Sequence, residues 1–203
     1  MFFVSIGIDC DVANFLNKYN LRKVSLPFDW NVSYSGVSQC IKNNFKNYTN
    51  PLSSERINGD DIYFHHDFLD TTMTQADRDK YQRRCERLLN LFETAEKTGE
   101  YVLFIRKGHL HYHHEEQNGR YKDITDDTED AKQLDNVMRS KYPLLKYKII
   151  VLLGCTKCFT KDTVYPDDDT HPVIDVYNNV GNASGIFEER LLNIVITEIR
   201  EHS

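Results

Sequence analysis

The first residue of the chain that could act as a nucleophile is Cys10, set between Asp9 and Asp11 directly after the apolar run Met1–Gly7. A thiol in the turn between a strand and a helix meets the unpaired N–H groups and partial positive charge of the helix start, which favour thiolate. The flanking carboxylates oppose this if they point towards the sulfur. From position alone the plainer reading is a small buried residue packing helix against sheet. Asp29, between Phe28 and Trp30, is a carboxylate in an apolar setting, so it requires a partner or a shifted pKa. Trp30, the sole tryptophan, reads as a core anchor.

Three further groupings carry possible chemistry. His109, His111, His113 and His114, with Glu115 and Glu116, form the densest set of potential metal ligands. Three of those rings share one face if the segment is extended, an arrangement open to zinc or nickel. Metal histidines ordinarily come from separate elements and have acceptors behind them, so a polar surface loop is the simpler account and no metal is expected. Cys155-Thr-Lys-Cys158 follows an apolar strand, where a redox pair would stand. The sequence after it has poor helical character, so two ordinary thiols in a turn are expected. Arg78, Arg83, Arg84 and Arg87 run along one helix, with 83 and 87 on a shared face and 84 beside them. They form either a solvated face neutralised by Asp77, Asp79 and Glu86 or a clamp for phosphate or carboxylate.

These residues have to be held by the elements around them. Met1–Gly7, Tyr101–Arg106 and Tyr147–Gly154 are apolar runs of the kind that form buried strands. A helix starts near position 10 or 11 with Asp9 as its natural N-cap. Leu21–Trp30 is extended with a turn at Pro27, and Tyr34–Tyr48 reads as a helix from Val37, Ile41, Phe45 and Tyr48. Asp60–Phe68 is a short strand entering a charged turn. Thr74–Lys97 is the strongest helix, Thr128–Lys141 another, and Phe187–Glu201 an amphipathic last one. Lys107–Asp127 is a polar excursion, and Val164–Asn179 is irregular with one short strand, Val173–Tyr177. Continuous apolar strands alternating with helices predict an α/β domain over 1–203, a single mostly parallel sheet with helices on both faces. In such a sheet ligands collect at the carboxyl ends of the strands, where Cys10 falls.

Composition narrows the classes. Of the 203 residues 40% are apolar and 28% charged, the make-up of a globular protein rather than a disordered one. With 25 Lys+Arg against 31 Asp+Glu the net charge is −6, so neither nucleic acid nor an anionic membrane is expected as a partner. No apolar run reaches the ~18 residues of a membrane helix. The N-terminus lacks a basic segment and reads as a strand, not a signal peptide. Five scattered cysteines make no disulfide framework, and a cytoplasmic location is expected.

Ser5-Ile-Gly7-Ile-Asp9-Cys10, then Ser25-Leu-Pro27-Phe28-Asp29-Trp30, resembles a family of unknown function described as papain-like cysteine peptidases and found in bacteria and large DNA viruses. Phe64-His65-His66-Asp67 and the arginine pair of Tyr81–Arg87 resemble its later elements. The resemblance implies a thiol hydrolase of the peptidase or amidase type, with Cys10 as nucleophile and His66 as base. It implies Asp67 or Asp29 as the group orienting the ring, and no cofactor. It also admits a papain-like α+β fold as the alternative, and host cytoplasm if the protein is viral. His65 and His66 point to opposite faces of a strand, so only one can face the thiol. A second likeness, of Gly7-Ile-Asp9-Cys10 and Asp168-Asp-Thr-His171, is to the end blocks of GDSL-type esterases, which would pair Cys10 with His171. Two other classes stand beside these. One is a glycan-modifying enzyme of the glycosyltransferase kind, in which Arg83, Arg84 and Arg106 hold a sugar nucleotide. The other is a non-catalytic interaction module. The expected substrate is therefore a peptide, an amide or a glycan. Sequence leaves open which of His65, His66 and His171 pairs with Cys10, and says nothing of the oligomeric state.

Overall fold

The computed structural model describes residues 1–7, 9–33, 36–49, 56–64, 66–67, 74–109, 127–154, 168–177 and 184–202. Its elements are β1 (Phe2–Ser5), α1 (Asp11–Lys18), β2 (Val32–Ser33), α2 (Val37–Lys42), β3 (Ile62–Tyr63), α3 (Gln75–Thr98), β4 (Tyr101–His109), α4 (Asp127–Lys141), β5 (Lys146–Gly154), β6 (Asp168–His171), β7 (Ile174–Tyr177) and α5 (Ser184–Glu201). The main sheet runs β1-β4-β5-β7-β6, and β2 and β3 form a separate short antiparallel ribbon. β1, β4, β5 and β7 are mutually parallel, while β6 turns back antiparallel on β7.

Helices cover both faces, because successive strand residues point opposite ways and the inner runs Val102–Ile105 and Ile149–Leu153 are apolar throughout. Along β4, Val102 and Phe104 join the cluster containing Leu88 and Phe92 of α3 and Leu134 and Met138 of α4. Leu103 and Ile105 join the other cluster, with Val12 and Leu16 of α1 and Leu191 and Val195 of α5. The α/β expectation therefore holds, and this layered parallel sheet is not the α+β alternative. No helix of the described residues is long and apolar enough to cross a membrane.

The strongest helix is built as its sequence dictates. Thr74 and Asp77 form a capping box at the start of α3, each side chain accepting the other's backbone N–H at 3.2 Å. Gly99, at φ 71°, closes it in the left-handed region that glycine adopts without strain.

Several local expectations are corrected. The N-cap of α1 is Cys10 itself, and Asp9 instead accepts the Asp11 N–H at 2.9 Å, an Asx-type turn one step early. The helix expected over 34–48 is only Val37–Lys42. Asn44, Phe45 and Asn47 take positive φ, so Phe45 and Tyr48 reach the core from turns. The stretch after 164, expected to hold one strand, carries the β6–β7 hairpin. Its outer strand is the polar edge of the sheet, which burial does not mark. The excursion at 110–126, with His111, His113 and His114, and the pair Cys155 and Cys158 lie outside the described residues, as does His65.

Candidate active site

β1 ends at Ser5 and the chain turns through Gly7 into α1, which brings Cys10 to the carboxyl end of the parallel strands. Lys107 of β4, two residues beyond the part of that strand paired with β1, lies beside this turn. A Cβ on Gly7 would stand 3.0 Å from the Lys107 nitrogen, so a larger residue would force the two strand ends apart. The Lys107 ammonium bridges Asp9, at 2.6 Å, and Asp11. Its burial works against the charge, but the two carboxylates prevail and hold its pKa above the usual lysine value.

Cys10 is half-buried, whereas Cys40 and Cys85 are buried. Its sulfur accepts from Asn14 Nδ2 at 3.6 Å, and no imidazole hydrogen-bonds it among the described residues. Burial, then Asp9 and Asp11, push the thiol pKa up, outweighing the helix start and Asn14. In this state the sulfur is a protonated thiol at neutral pH.

A second cluster gathers most of the other residues singled out from sequence. Asp29, 1% exposed, accepts the Leu26 N–H at 2.9 Å and an Arg22 N–H at 3.2 Å. Burial raises its carboxyl pKa, and these donors offset part of the rise. Arg22 also lies over the Trp30 ring, 5.3 Å from the centroid. The exposed His66 meets the same indole edge-on, with centroids 6.3 Å apart. Next to it, Asp67 accepts from Lys80 Nζ at 2.7 Å and from the Tyr81 hydroxyl. Burial opposes the Asp67 charge, yet Lys80 and Tyr81 win and its pKa falls below the ordinary value. Arg84 lies over the Tyr81 ring at 4.9 Å and acts electrostatically on both Asp29 and Asp67. Its buried Nη1 has no hydrogen-bond partner among the described residues.

Arg106 is placed differently from Arg84. It is 2% exposed, with Nε on Asp127 at 2.6 Å, Nη2 on Asp130 at 3.0 Å, and Nη1 on the carbonyls of Ile6 and Ser33 at 3.1 and 3.4 Å. The expected ligand-binding arginine is thus occupied by protein groups, tying β1, β2 and the start of α4 together. Among the described residues Asp77, Asp79 and Glu86 also form no ion pair with the arginines of α3. Asp77 serves Thr74 and Lys80, Asp79 serves Gln75, and Glu86 serves Gln82. Arg83 makes no ion pair among the described residues.

Contacts therefore link Asp29, Trp30, His66, Asp67 and Arg84 with one another, while the partners of the Cys10 sulfur are Asn14 and the charges of Asp9 and Asp11, with no hydrogen bond from His66. The structure does not bring His171 to Cys10. β1 and β6 are the two edges of the sheet, four strand spacings or about 19 Å apart. His171 pairs with Ile174 at the start of β7, the amino end of the parallel strands, while Cys10 follows the carboxyl end of β1. Arg22, Tyr81 and Lys107 were not singled out from sequence. Lys107 was within reach, since aligning the ends of two parallel apolar strands sets it beside Gly7. A metal could find ligands at Glu198, Glu201 and His202, whose donor atoms lie within 4.8 Å of one another. Glu198 is already engaged by Lys148 at 2.9 Å.

No solved structure matches the chain at a significant level. An uncharacterized protein of Acanthamoeba polyphaga mimivirus is 30% identical over 138 residues, an alignment taking in 51% of this chain and 60% of that relative. The chain thus spans less than two thirds of the relative's length. Residues 1–63, which carry Cys10, Asp29 and Trp30, match the model of the family described as "Putative papain-like cysteine peptidase (DUF1796)", the family that Ser5–Trp30 resembles.

Proposed function

We propose that the protein is a thiol hydrolase acting on peptide or amide bonds, with Cys10 as nucleophile and the protonated thiol as its resting form. The observation that carries this is the setting of Cys10. It is the half-buried cysteine of a strand-to-helix turn at the carboxyl end of the sheet, while Cys40 and Cys85 are sealed in the core. The family match over residues 1–63 adds support. In the reaction the sulfur would add to the carbonyl carbon as its proton passes to a base, the amine would leave with that proton, and water would release the acyl group. The first-turn N–H groups of α1 are suited to the oxyanion that forms. His66 is the proposed base and Asp67 the group that orients it. Catalysis then requires the His66 ring within hydrogen-bond reach of the thiol, a bond the sulfur does not make in this arrangement.

Two labels test this in one experiment. Iodoacetamide reads the intrinsic thiol, and a peptidyl acyloxymethyl ketone reads catalytic attack, each located by mass spectrometry. The expected result is slow alkylation of Cys10 by iodoacetamide at pH 7, unchanged in His66→Gln, with peptidyl ketone labelling that is fast in the wild type and lost in His66→Gln. Undiminished ketone labelling in His66→Gln removes His66 from the reading. No ketone labelling of wild-type Cys10 removes the hydrolase.

A further inference from the structure

Away from Cys10, at the amino end of β1, a cleft of about 330 Å³ opens between the strand's free edge, the segment 21–26 and α3. Both Phe2 and Phe3 line it. Their side chains leave opposite faces of the strand, so the cleft wraps the edge of the sheet. Leu21, Leu26 and Leu91 complete an apolar wall. Val24, one of two large exposed hydrophobic residues in the described chain, stands at its mouth at 44% exposure.

Two cations rim this wall, Lys23 and Arg87. The Lys23 ammonium lies 4.9 Å from the Phe2 ring centroid, and Arg87 donates to the Ser25 carbonyl at 3.4 Å. Neither makes an ion pair among the described residues, although acidic residues outnumber basic ones 31 to 25 in the chain. An apolar cavity of ligand size with two uncompensated cations at its rim has a defined complement.

We propose that this cleft binds a single-chain anionic amphiphile, a medium-chain carboxylate, with its chain along Phe2, Phe3 and Leu91 and its head group between Lys23 and Arg87. At roughly 30 Å³ for each water-sized group, the cavity holds about ten methylene units. The site is distinct from the thiol chemistry, since its lining shares with the Cys10 and His66 clusters only Leu26, and that through the backbone N–H given to Asp29.

The test is calorimetric titration of the full chain with hexanoate, octanoate, decanoate and dodecanoate, each below its micelle-forming concentration. Affinity is expected to rise by up to about fourfold per methylene and to level off near the length that fills the cavity. Decanol, of the same length without charge, is expected to bind about tenfold more weakly, and Lys23→Glu with Arg87→Glu to lower decanoate affinity at least as much. Val24→Asp, an exposed substitution at the mouth, is a second block that leaves the core untouched. Decanol binding as tightly as decanoate, affinity independent of chain length, or decanoate binding undiminished in both variants would overturn the proposal. So would binding to anionic phosphatidylglycerol vesicles without binding to monomeric decanoate, which would mark a membrane-facing patch instead.

Discussion

Replacing Arg106 with methionine tests the tie at the centre of the sheet's carboxyl end. The guanidinium satisfies two carboxylates, Asp127 and Asp130, and two backbone carbonyls, Ile6 and Ser33, from a site 2% exposed. Removing one partner of a buried ion pair costs ~3–5 kcal/mol, because the remaining charge has lost both water and counterion. The side chain of Asp127 is fully buried, so it meets that condition, whereas Asp130, at 17% exposure, can turn towards water. Each orphaned carbonyl adds ~1 kcal/mol, and with two of them Arg106→Met reaches or exceeds the top of that range, at ~5–7 kcal/mol. Against a net stability of ~5–15 kcal/mol for an ordinary domain, the variant approaches unfolding at room temperature. Arg106→Met with Asp127→Leu removes both charges and should recover most of the loss, as buried pairs exchanged for apolar residues generally do. Urea unfolding followed by the fluorescence of Trp30, the single tryptophan, reads both variants. A loss below ~1 kcal/mol in the single variant, or a double variant no more stable than the single, would refute this account of the tie.

The remaining expectations are narrower. A Cβ at Gly108 would lie 2.1 Å from Asp127 Oδ2, so Gly108→Ala should lower stability by ~1–3 kcal/mol, while Gly59→Ala, with nothing within 4 Å, should stay within ~0.5 kcal/mol of wild type in the same urea assay. Asp9→Asn with Asp11→Asn removes two of the causes that raise the Cys10 pKa and releases the Lys107 charge beside it, so iodoacetamide alkylation at pH 8 should accelerate by about tenfold. An unchanged rate would show that burial alone sets the thiol. Because the Asp67 pKa is lowered in the fold, its contribution is complete above its ordinary value of 3.8 and is lost as pH falls through the lower folded value. Asp67→Asn should therefore flatten the acid limb of a stability–pH profile, which a thermal-melt series below pH 5 measures.

Where burial leaves a continuous record, the sequence could be read directly. The inner runs Val102–Ile105 of β4 and Ile149–Leu153 of β5 are apolar at every position because both faces are covered, and the Thr74/Asp77 box and Gly99 bracket α3 within two residues of its expected ends. Helical spacing misled at Phe45 and Tyr48, because aromatic packing among Phe28, Phe45 and Tyr48 gives a turn the same buried positions as a helix. The polar edge strand β6 carries no such record at all. Within the candidate site, the turn holding Cys10 was legible from a strand ending in glycine before a helix. The partners were not. Arg106 meets Asp127 from 21 residues away and Ile6 from 100, so its occupied guanidinium depends on tertiary pairing that no local pattern encodes. The same holds for Arg22 on Trp30 and for Tyr81 on Asp67.

The position of β1 at the edge of the sheet has a consequence for how the protein is made. Its hydrogen-bonded partner in the main sheet is β4, with Phe2 opposite Val102 and Ser5 opposite Ile105, so each of these contacts closes a loop of about 100 residues. During synthesis the β2–β3 ribbon can form within residues 1–63, the segment that matches the family model, but β1 has no partner strand until residue 105 has been added. Cys10 is thus made about 95 residues before the strand that pairs with β1 is complete, and a chain interrupted before β4 keeps this thiol without the sheet that sets its surroundings.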